Sequence, residues 1–149
     1  MSNGTLKIRK LDERAALPVR STNGSAGMDL HAVLDGPLTL QPGDRALIST
    51  GIAIGLPSAE TVGLVFARSG LAVKHGLTLS NSVGVIDSDY TGEIKVGLVN
   101  LSDKPYTLVH GERIAQLVIM PILMPEIEET DCLTATQRGD GGFGSTGKR

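Results

Sequence analysis

Between Leu6 and Leu123 the sequence is a series of short runs rich in leucine and β-branched residues, separated by Gly, Pro, Asn and Asp. Runs of this kind, broken by turn residues at such intervals, are typical of small antiparallel sheets. The predicted strands are Leu6–Arg9, Met28–Val33, Arg45–Ile54, Thr61–Ala67, Leu77–Ser80, Glu93–Leu101, Thr107–Val109 and Ile114–Leu123. Turn sequences such as Gln41-Pro42-Gly43-Asp44 lie between them. The expected fold is therefore all-β, a jelly-roll-like sandwich or barrel, with one short helix at Ser69–Lys74 before Gly76.

The last predicted strand, Ile114–Leu123, is almost continuously apolar, so both of its faces favour burial. Another subunit would cover the second face, although a central strand under a loop explains the pattern equally well. An acidic segment, Glu126–Asp131, follows Pro125 and leads into a glycine-rich end. We expect a β domain at 1–125 and a flexible C-terminal arm at 126–149 that reaches a neighbouring subunit.

Composition narrows the classes of function. The 149 residues suit one domain, and the formal charge of −2, with no stretch that interleaves basic and aromatic residues, argues against binding polymeric DNA or RNA. The single Cys132 and the absence of an apolar leader favour a reducing, cytoplasmic location, and no apolar run is long enough to cross a membrane. His31, His75 and His110 are too scattered for a zinc site, so any metal should be a hard ion bound by oxygen.

The C-terminal segment 138–149 places a single aromatic residue, Phe143, among glycines. Its ring offers a stacking face for a base, while Arg138, Ser145, Thr146 and open backbone N–H groups offer donors for phosphate. A disordered tail and a simple turn are the alternatives. A phosphate-binding loop is rejected, because the sequence has no Ser or Thr and no helix after Lys148.

The segment Asn81–Glu93 is hairpin-like and carries Asp87, Asp89 and Tyr90 close together. One interpretation is a turn in which the aspartates bond their own backbone. In the functional interpretation, Asp87 accepts a proton from water beside a substrate, and Tyr90 forms a flat wall.

Three further positions carry chemistry. Arg68-Ser69-Gly70 combines a guanidinium, a hydroxyl and an open N–H, which together can hold phosphate, although an exposed turn has the same composition. Asp29 lies among apolar neighbours, where a carboxylate needs a partner or a metal-bound water, or caps a turn. Gln116 lies in the apolar last strand, either as a satisfied core amide or as a contact to a bound oxygen.

Taken together and in order, these segments resemble the trimeric dUTPase family. The resemblance rests on Ala26-Gly-x-Asp-Leu-x-Ala32, Arg68-Ser-Gly70, Asn81-x-x-Gly-x-Ile-Asp-x-Asp-Tyr-x-Gly-Glu93, Gly111-x-Arg-Ile-Ala-Gln116 and Arg138-Gly-x-Gly-Gly-Phe-Gly-Ser-Thr-Gly147. The third and fifth segments are the most specific. One departure is Ala67, where proline is common in the family.

The resemblance implies a homotrimer of jelly-roll-like, β-clip subunits, whose active sites combine all three chains and are closed by a C-terminal arm. It implies that the hairpin backbone reads uracil and that Tyr90 excludes a ribose 2′-hydroxyl. It also implies that Asp87 is the catalytic base, activating water against the α-phosphorus of dUTP to give dUMP and diphosphate, which keeps uracil out of DNA and supplies dUMP for thymidylate synthesis. The substrate-binding residues implied are Arg68, Ser69, Gly70, Asn81, Gly84, Val85, Ile86, Tyr90, Lys95, Gln116, Arg138, Phe143, Gly144, Ser145 and Thr146.

The resemblance further implies Mg²⁺, held mainly by the phosphates, with Asp29 acting on it through water. Two other functions stay open for a chain of this kind. One is an enzyme like dCTP deaminase, which has a similar fold, and the other is a non-catalytic, dUTP-binding regulatory protein. A β-barrel that binds nucleic acid is a third alternative, against which the negative charge argues.

Overall fold

The computed structural model describes residues 4–143, which form ten strands and one helix. The elements are β1 (Lys7–Lys10), β2 (Met28–His31), β3 (Leu38–Leu40), β4 (Arg45–Gly55), β5 (Thr61–Phe66), α1 (Ser69–His75), β6 (Leu77–Leu79), β7 (Gly84–Ile86), β8 (Glu93–Asn100), β9 (Tyr106–Leu108) and β10 (Arg113–Pro121). The all-β prediction with one short helix is confirmed. Within the same residues, no helix has the length and apolar character needed to span a membrane.

Two four-stranded antiparallel sheets enclose the core. Their strand orders are β1-β4-β8-β6 and β2-β10-β5-β7, and β3 and β9 form a separate two-stranded ribbon. The core joins residues of both sheets, with Val96 and Leu98 on one side and Leu30, Ile114 and Leu117 on the other, each no more than 1% exposed. Neither sheet closes on itself, so the sandwich form of the prediction describes the molecule better than the barrel form.

Two glycines fix the ends of elements. In the predicted turn at 41–44, the Asp44 N–H donates to the Gln41 carbonyl (3.0 Å), and Gly43 has φ +85°. At the end of α1, Gly76 has φ +66° and donates its N–H to the Ala72 carbonyl (3.0 Å). Both backbone conformations favour glycine, which has no Cβ to clash in the left-handed region.

A fully buried amide closes the end of β8. The Asn100 Nδ2 donates to the carbonyls of Leu40 (2.9 Å) and Lys104 (2.7 Å), while its Oδ1 accepts from the N–H (3.0 Å) and Oγ (2.8 Å) of Ser102. The amide thus both donates and accepts hydrogen bonds. A polar group with 0% exposure needs such partners because water cannot reach it. This network ties β8, which carries Glu93 and Lys95, to β3.

The apolar last strand, β10, lies inside its sheet between β2 and β5. Its first half is buried, but Met120 is 45% exposed, and Leu123 beyond the strand is 94% exposed. The central-strand interpretation therefore accounts for the first half only. Residues 122–143 contain neither helix nor strand, and a second subunit over the exposed half stays a prediction.

Candidate active site

A cavity of about 530 Å³ lies beside β7 and β8. Its walls bring together seven of the residues expected from the sequence: Asn81, Gly84, Val85, Ile86, Asp87, Tyr90 and Lys95. We call this region the hairpin cavity. Its volume is within the range of pockets that hold small-molecule ligands.

Strand β7 supplies main-chain groups to the hairpin cavity. It is the last strand of its sheet and pairs with β5 alone among the described elements, through Val85 opposite Leu64. An edge strand presents N–H and C=O groups that no neighbouring strand uses. The alternating donors and acceptors of such an edge can pair with the rim of a planar base.

The turn that leads into β7 is tight. The Val83 N–H donates to the Asn81 carbonyl (2.8 Å), and the Ser82 N–H donates to the Leu79 carbonyl (3.3 Å). Ser82 has φ +65°, a conformation that is uncommon for a residue with a side chain and that is enriched at functional sites. The turn joins the edge of one sheet, β6, to the edge of the other, β7.

Asp87 lies in the exposed turn that follows β7. The Tyr90 N–H donates to the Asp87 carbonyl (3.1 Å), but the Asp87 carboxylate has no hydrogen-bond or ion-pair partner among the described residues. The alternative in which the aspartates bond their own backbone is therefore not what this turn does. The Tyr90 hydroxyl donates to the Glu93 carbonyl (2.9 Å), and the side chain of Tyr90 is 47% exposed at the mouth of the hairpin cavity.

A second region is built around Asp29. Its Oδ1 accepts from Arg68 Nε (2.9 Å), and its Oδ2 accepts from Arg113 Nη1 (3.1 Å) and Ser21 Oγ (3.4 Å). Asp29 is 8% exposed, so both oxygens of a buried carboxylate are held by cations. We call Asp29, Arg68 and Arg113 the arginine cluster.

Burial and the charges of the arginine cluster together shift two pKa values. Burial by itself would raise the pKa of Asp29, but the hydrogen bond from Arg113 and the charge of Arg68 outweigh it and hold that pKa below its usual range. Burial lowers the pKa of His31, against the attraction of Asp29. His31 Nδ1 is buried and has no hydrogen-bond partner among the residues described. The neutral imidazole therefore adds no charge to the cluster at neutral pH.

The arginine cluster opens onto a second cavity of about 530 Å³. Ser69 and Gly70 line it at the start of α1, where backbone N–H groups are not used within a helix. Gln116 lines it too and donates from Nε2 to the Ala67 carbonyl (2.9 Å). Its Oε1 lies against Gly27, where any Cβ would overlap with that oxygen. A glycine at 27 is therefore needed to leave Gln116 in place.

The two cavities share no lining residue. The structure thus divides the expected site residues into the hairpin cavity, the arginine cluster with its neighbours, and the C-terminal segment. In the last of these, Arg138 bonds the Gly141 carbonyl from Nε (3.0 Å), and the Phe143 side chain is fully exposed. Gly144, Ser145 and Thr146 lie outside the described residues.

Sequence reasoning assigned no role to two residues that the structure connects to the site. Arg113 is the second cation on Asp29, and Glu93 lies between the Tyr90 hydroxyl, Lys95 and the backbone of Gly51. Both were inside recognised segments, but Asp29, the partner of Arg113, and Gly51, the partner of the Glu93 carboxylate, are distant in sequence. Their contacts depend on strand register, which the local pattern does not encode.

The described residues do not form a metal cage, because they contain no group of three or more His, Cys, Asp or Glu side chains positioned to share an ion. Asp29 has both oxygens committed to arginines, while the Asp87 carboxylate has no partner in the described part of the chain. Such a donor set suits Mg²⁺ held mainly by substrate phosphates and water, with few protein ligands.

An open antiparallel sandwich with a cavity along one strand edge places the molecule in the class of jelly-roll-like, β-clip proteins. Comparison with known proteins narrows the class. The sequence profile of the dUTPase family matches residues 13–147. The chain belongs to the dUTPase family, which confirms the recognition made from the sequence.

The sequences of two relatives match this chain over nearly its whole length. The chain is 47% identical to the deoxyuridine 5′-triphosphate nucleotidohydrolase of Alcanivorax borkumensis, over 97% of this chain and 99% of that protein. It is 53% identical to the enzyme of the same name from Hydrogenobaculum sp., with 97% and 99% covered. The predicted enzyme class, a dUTP diphosphatase, is confirmed.

Solved structures agree on the fold. The Staphylococcus bacteriophage 80alpha dUTPase with dUpNHpp superposes with a TM-score of 0.87 at 30% identity, covering 96% of this chain and 98% of that chain. A mutant dUTPase from phage phi11 of S. aureus, described with a structural Mg(II) ion, has a TM-score of 0.79 at 27% identity, covering 89% and 100%.

Proposed function

We propose that this enzyme hydrolyses dUTP to dUMP and diphosphate by attack of an Asp87-activated water on the α-phosphorus. Hydrolysis of dUTP to dUMP keeps uracil out of DNA and supplies dUMP for thymidylate synthesis. The observation that carries the proposal is the hairpin cavity, where a strand edge lies beside a carboxylate that has no partner among residues 4–143. Family membership supplies the substrate class.

The base is read by the main chain of β7 and by Asn81. The groups that pair with uracil belong to Gly84, Val85 and Ile86, and a cytosine would meet them with its donor and acceptor exchanged. Each buried polar group left without a partner costs about 1 to 3 kcal/mol. The Tyr90 ring packs under the deoxyribose and leaves no room for a 2′-hydroxyl, while Lys95 contacts the nucleotide from β8.

The chemical step needs one proton acceptor. A water oxygen forms a bond to the α-phosphorus, the bond from that phosphorus to the bridging oxygen of the leaving diphosphate breaks, and the water proton moves to Asp87. Arg68, Ser69, Gly70 and Gln116 hold the α- and β-phosphates and keep the reacting atoms in line. Asp29 holds Arg68 in position, and it would act on a bound Mg²⁺ only through water. When bound to the phosphates, Mg²⁺ would neutralise part of their charge.

The two cavities serve one site in the assembled protein. In the proposed homotrimer, the hairpin cavity of one chain faces the arginine cluster of another, and the arm 126–149 of a chain extends from the β domain 1–125 to close a site. Phe143 covers the uracil, while Arg138, Gly144, Ser145 and Thr146 hold the γ-phosphate. The exposed Phe143 and the apolar end of β10 support this assembly. We place the reaction in the cytoplasm, in keeping with the single free cysteine.

Two measurements test the proposal. The first is diphosphate release from dUTP, dCTP, dTTP and UTP, with and without Mg²⁺. Turnover of dUTP alone and dependence on Mg²⁺ are expected, and ammonia release from dCTP would instead indicate a deaminase. The second is hydrolysis in ¹⁸O-labelled water. The label is expected in dUMP, and label in diphosphate would overturn attack at the α-phosphorus.

A further inference from the structure

Glu93, the first residue of β8, makes three contacts at the wall of the hairpin cavity. Its carbonyl accepts from the Tyr90 hydroxyl (2.9 Å). Its carboxylate accepts from the Gly51 N–H through Oε1 (3.0 Å) and lies 3.5 Å from Lys95 Nζ through Oε2. One residue is therefore bonded to two expected nucleotide contacts and to the strand β4 behind them.

The donor of the hydrogen bond from the Gly51 N–H to the Glu93 carboxylate is held in place by its surroundings. Gly51 has φ +67° and lies where the pairing of β4 with β8 is interrupted, between Ser49 and Ala53. A Cβ at this position would come within 2.8 Å of Ala15 Cβ and 3.0 Å of Asp12 Cβ, so the backbone is closely packed. The Gly51 N–H is therefore a fixed donor, and a bond to it fixes the Glu93 side chain.

The Tyr90 ring is restrained at its other end as well. A Cβ on Gly92 would lie 2.6 Å from the Tyr90 hydroxyl and 2.7 Å from Cζ, so the ring rests directly over Gly92. The ring position is thus set by the absence of a side chain at 92 and by the carbonyl at 93 that binds the hydroxyl. Gly92 and Glu93, which together fix the ring, follow the turn that carries Asp87 and Tyr90.

The charge of Glu93 also requires an explanation, because a carboxylate beside a triphosphate would repel it. The Glu93 side chain is 23% exposed and faces a backbone donor and the Lys95 ammonium. Its charge is thus engaged by protein groups, while Lys95 keeps 46% of its side chain exposed to the cavity. This arrangement suits a residue that orients others and does not itself contact the nucleotide.

We propose that Glu93 is a positioning residue for sugar selectivity, which anchors the Tyr90 ring by bonding its own carboxylate to the Gly51 N–H. This inference rests on the proposed role of Tyr90 against the 2′-hydroxyl. The anchor depends on the length of the side chain and on its oxygen acceptor, and it does not depend on the negative charge.

The test measures the ratio of kcat/KM for dUTP to kcat/KM for UTP, since a general weakening of the fold does not change this ratio selectively. Glu93→Ala should lower the ratio about two- to tenfold, the size expected for one hydrogen bond. Glu93→Gln, whose amide oxygen can accept from Gly51, should keep the ratio within about twofold of the parent. The exposed Glu60→Ala is the matched control and should leave the ratio unchanged.

A second variant keeps the test decisive if Glu93→Ala does not fold. Glu93→Asp keeps the charge but is one methylene too short for the Gly51 N–H, so it should lower the ratio while Glu93→Gln does not. The opposite order would show that charge, and not reach, is what matters, and would overturn the inference. Thermal unfolding of each variant checks that the comparison is made on folded protein.

Tyr90→Phe separates this inference from the proposed function. It removes the hydroxyl that Glu93 binds and keeps the ring, so it should lower the ratio, and Glu93→Ala should add little to it in the double variant. Full additivity of the two changes would overturn the coupling. An unchanged ratio in Tyr90→Ala would overturn the proposed role of Tyr90, whereas an effect of Tyr90→Ala with none of Glu93→Ala or Glu93→Asp would overturn only the role of Glu93.

Discussion

The hairpin cavity and the arginine cluster differ in how their polar groups are used. At the hairpin cavity, a strand edge and the Asp87 carboxylate have no partner among the described residues. In the arginine cluster, Asp29 already binds both Arg68 and Arg113. The first region is open to a ligand as it stands, while the second is organised by pairing within the protein. In the proposed function, an uncharged base is recognised by free main-chain groups, and a highly charged phosphate chain is recognised by arginines that are already paired.

The two regions lie apart within one chain, so the proposed reaction depends on how subunits assemble. They share no lining residue, although the proposed reaction needs both at one substrate. Variants confined to one region should therefore have distinct effects, and combining them should show whether the regions meet across a subunit interface.

The largest effect is expected in the hairpin cavity. Asp87→Asn should lower kcat about 10²- to 10⁴-fold, because the amide cannot accept the proton, while the affinity for a non-hydrolysable dUTP analogue stays close to that of the parent. Asp89→Asn, in the same exposed turn, is the matched control and should retain near-normal turnover. Turnover that follows Asp89 and not Asp87 would show that the base has been assigned to the wrong carboxylate.

Mixing subunits tests whether the two regions act together across chains. Asp87→Asn and Arg68→Ala each inactivate one region, so each pure variant should be nearly inactive. After the two are unfolded together and refolded, some sites should pair an intact hairpin cavity with an intact arginine cluster, and activity should rise above that of either variant. Activity that stays at the level of the pure variants would place both regions of a site on one chain.

The Phe143 ring of the arm should contribute to binding of the base at the hairpin cavity. Phe143→Ala should cost about 1 to 3 kcal/mol of stacking energy and lower kcat/KM for dUTP accordingly. The Phe143 side chain is fully exposed in its own chain, so the melting temperature without nucleotide should not change. An unchanged kcat/KM would remove the arm from the site.

A smaller effect is expected next to the arginine cluster. Gly27→Ala should displace the Gln116 amide and lower kcat/KM about five- to tenfold through the loss of one phosphate hydrogen bond. Gly24→Ala is the control in the same loop, since a Cβ there has no atom within 4 Å. If both variants behave alike, the position of Gln116 does not matter to the reaction.

The smallest effect is on stability and appears only in acid. The pKa of Asp29 is lowered in the folded protein, so its pairing stabilises the fold at pH values above the pKa of an unfolded aspartate, about 3.9. This contribution is lost as the pH falls below that value towards the folded pKa. Chemical denaturation should therefore show stability falling below about pH 4 more steeply for the parent than for Asp29→Asn. Parallel curves would mean that the arginine cluster contributes no pH-dependent stability.

The sequence predicts these two regions unequally. The hairpin cavity is formed largely by residues between 81 and 97, so a contiguous segment indicated most of it. The arginine cluster depends on β2 pairing with β10, where Arg113 lies opposite His31 and Gln116 opposite Asp29. A register between strands more than 80 residues apart leaves no local pattern.

In the fold, too, features carried by a contiguous segment were predicted better than features that depend on distant residues. The longer strands β4, β5, β8 and β10 were predicted to within two residues, because their apolar runs are long enough to be recognised. The three-residue strand β3 was missed although β6, which has the same Leu-Thr-Leu sequence, was predicted, so three residues alone do not mark a strand. β7 was foreseen only as part of a hairpin-like segment. The contact between Glu93 and Gly51 spans 42 residues and depends on an interruption in β4 that the sequence does not mark.

The edge position of β7 has a consequence for attempts to engineer this protein. Val85 is 64% exposed, yet in the proposed binding mode its strand offers the base only peptide groups, which every amino acid except proline carries alike. Exchanging residues along β7 therefore leaves the order of donors and acceptors unchanged. In the proposed binding mode, changing the nucleobase that β7 accepts would require sliding the whole strand by one position, and libraries of point changes confined to β7 would miss it.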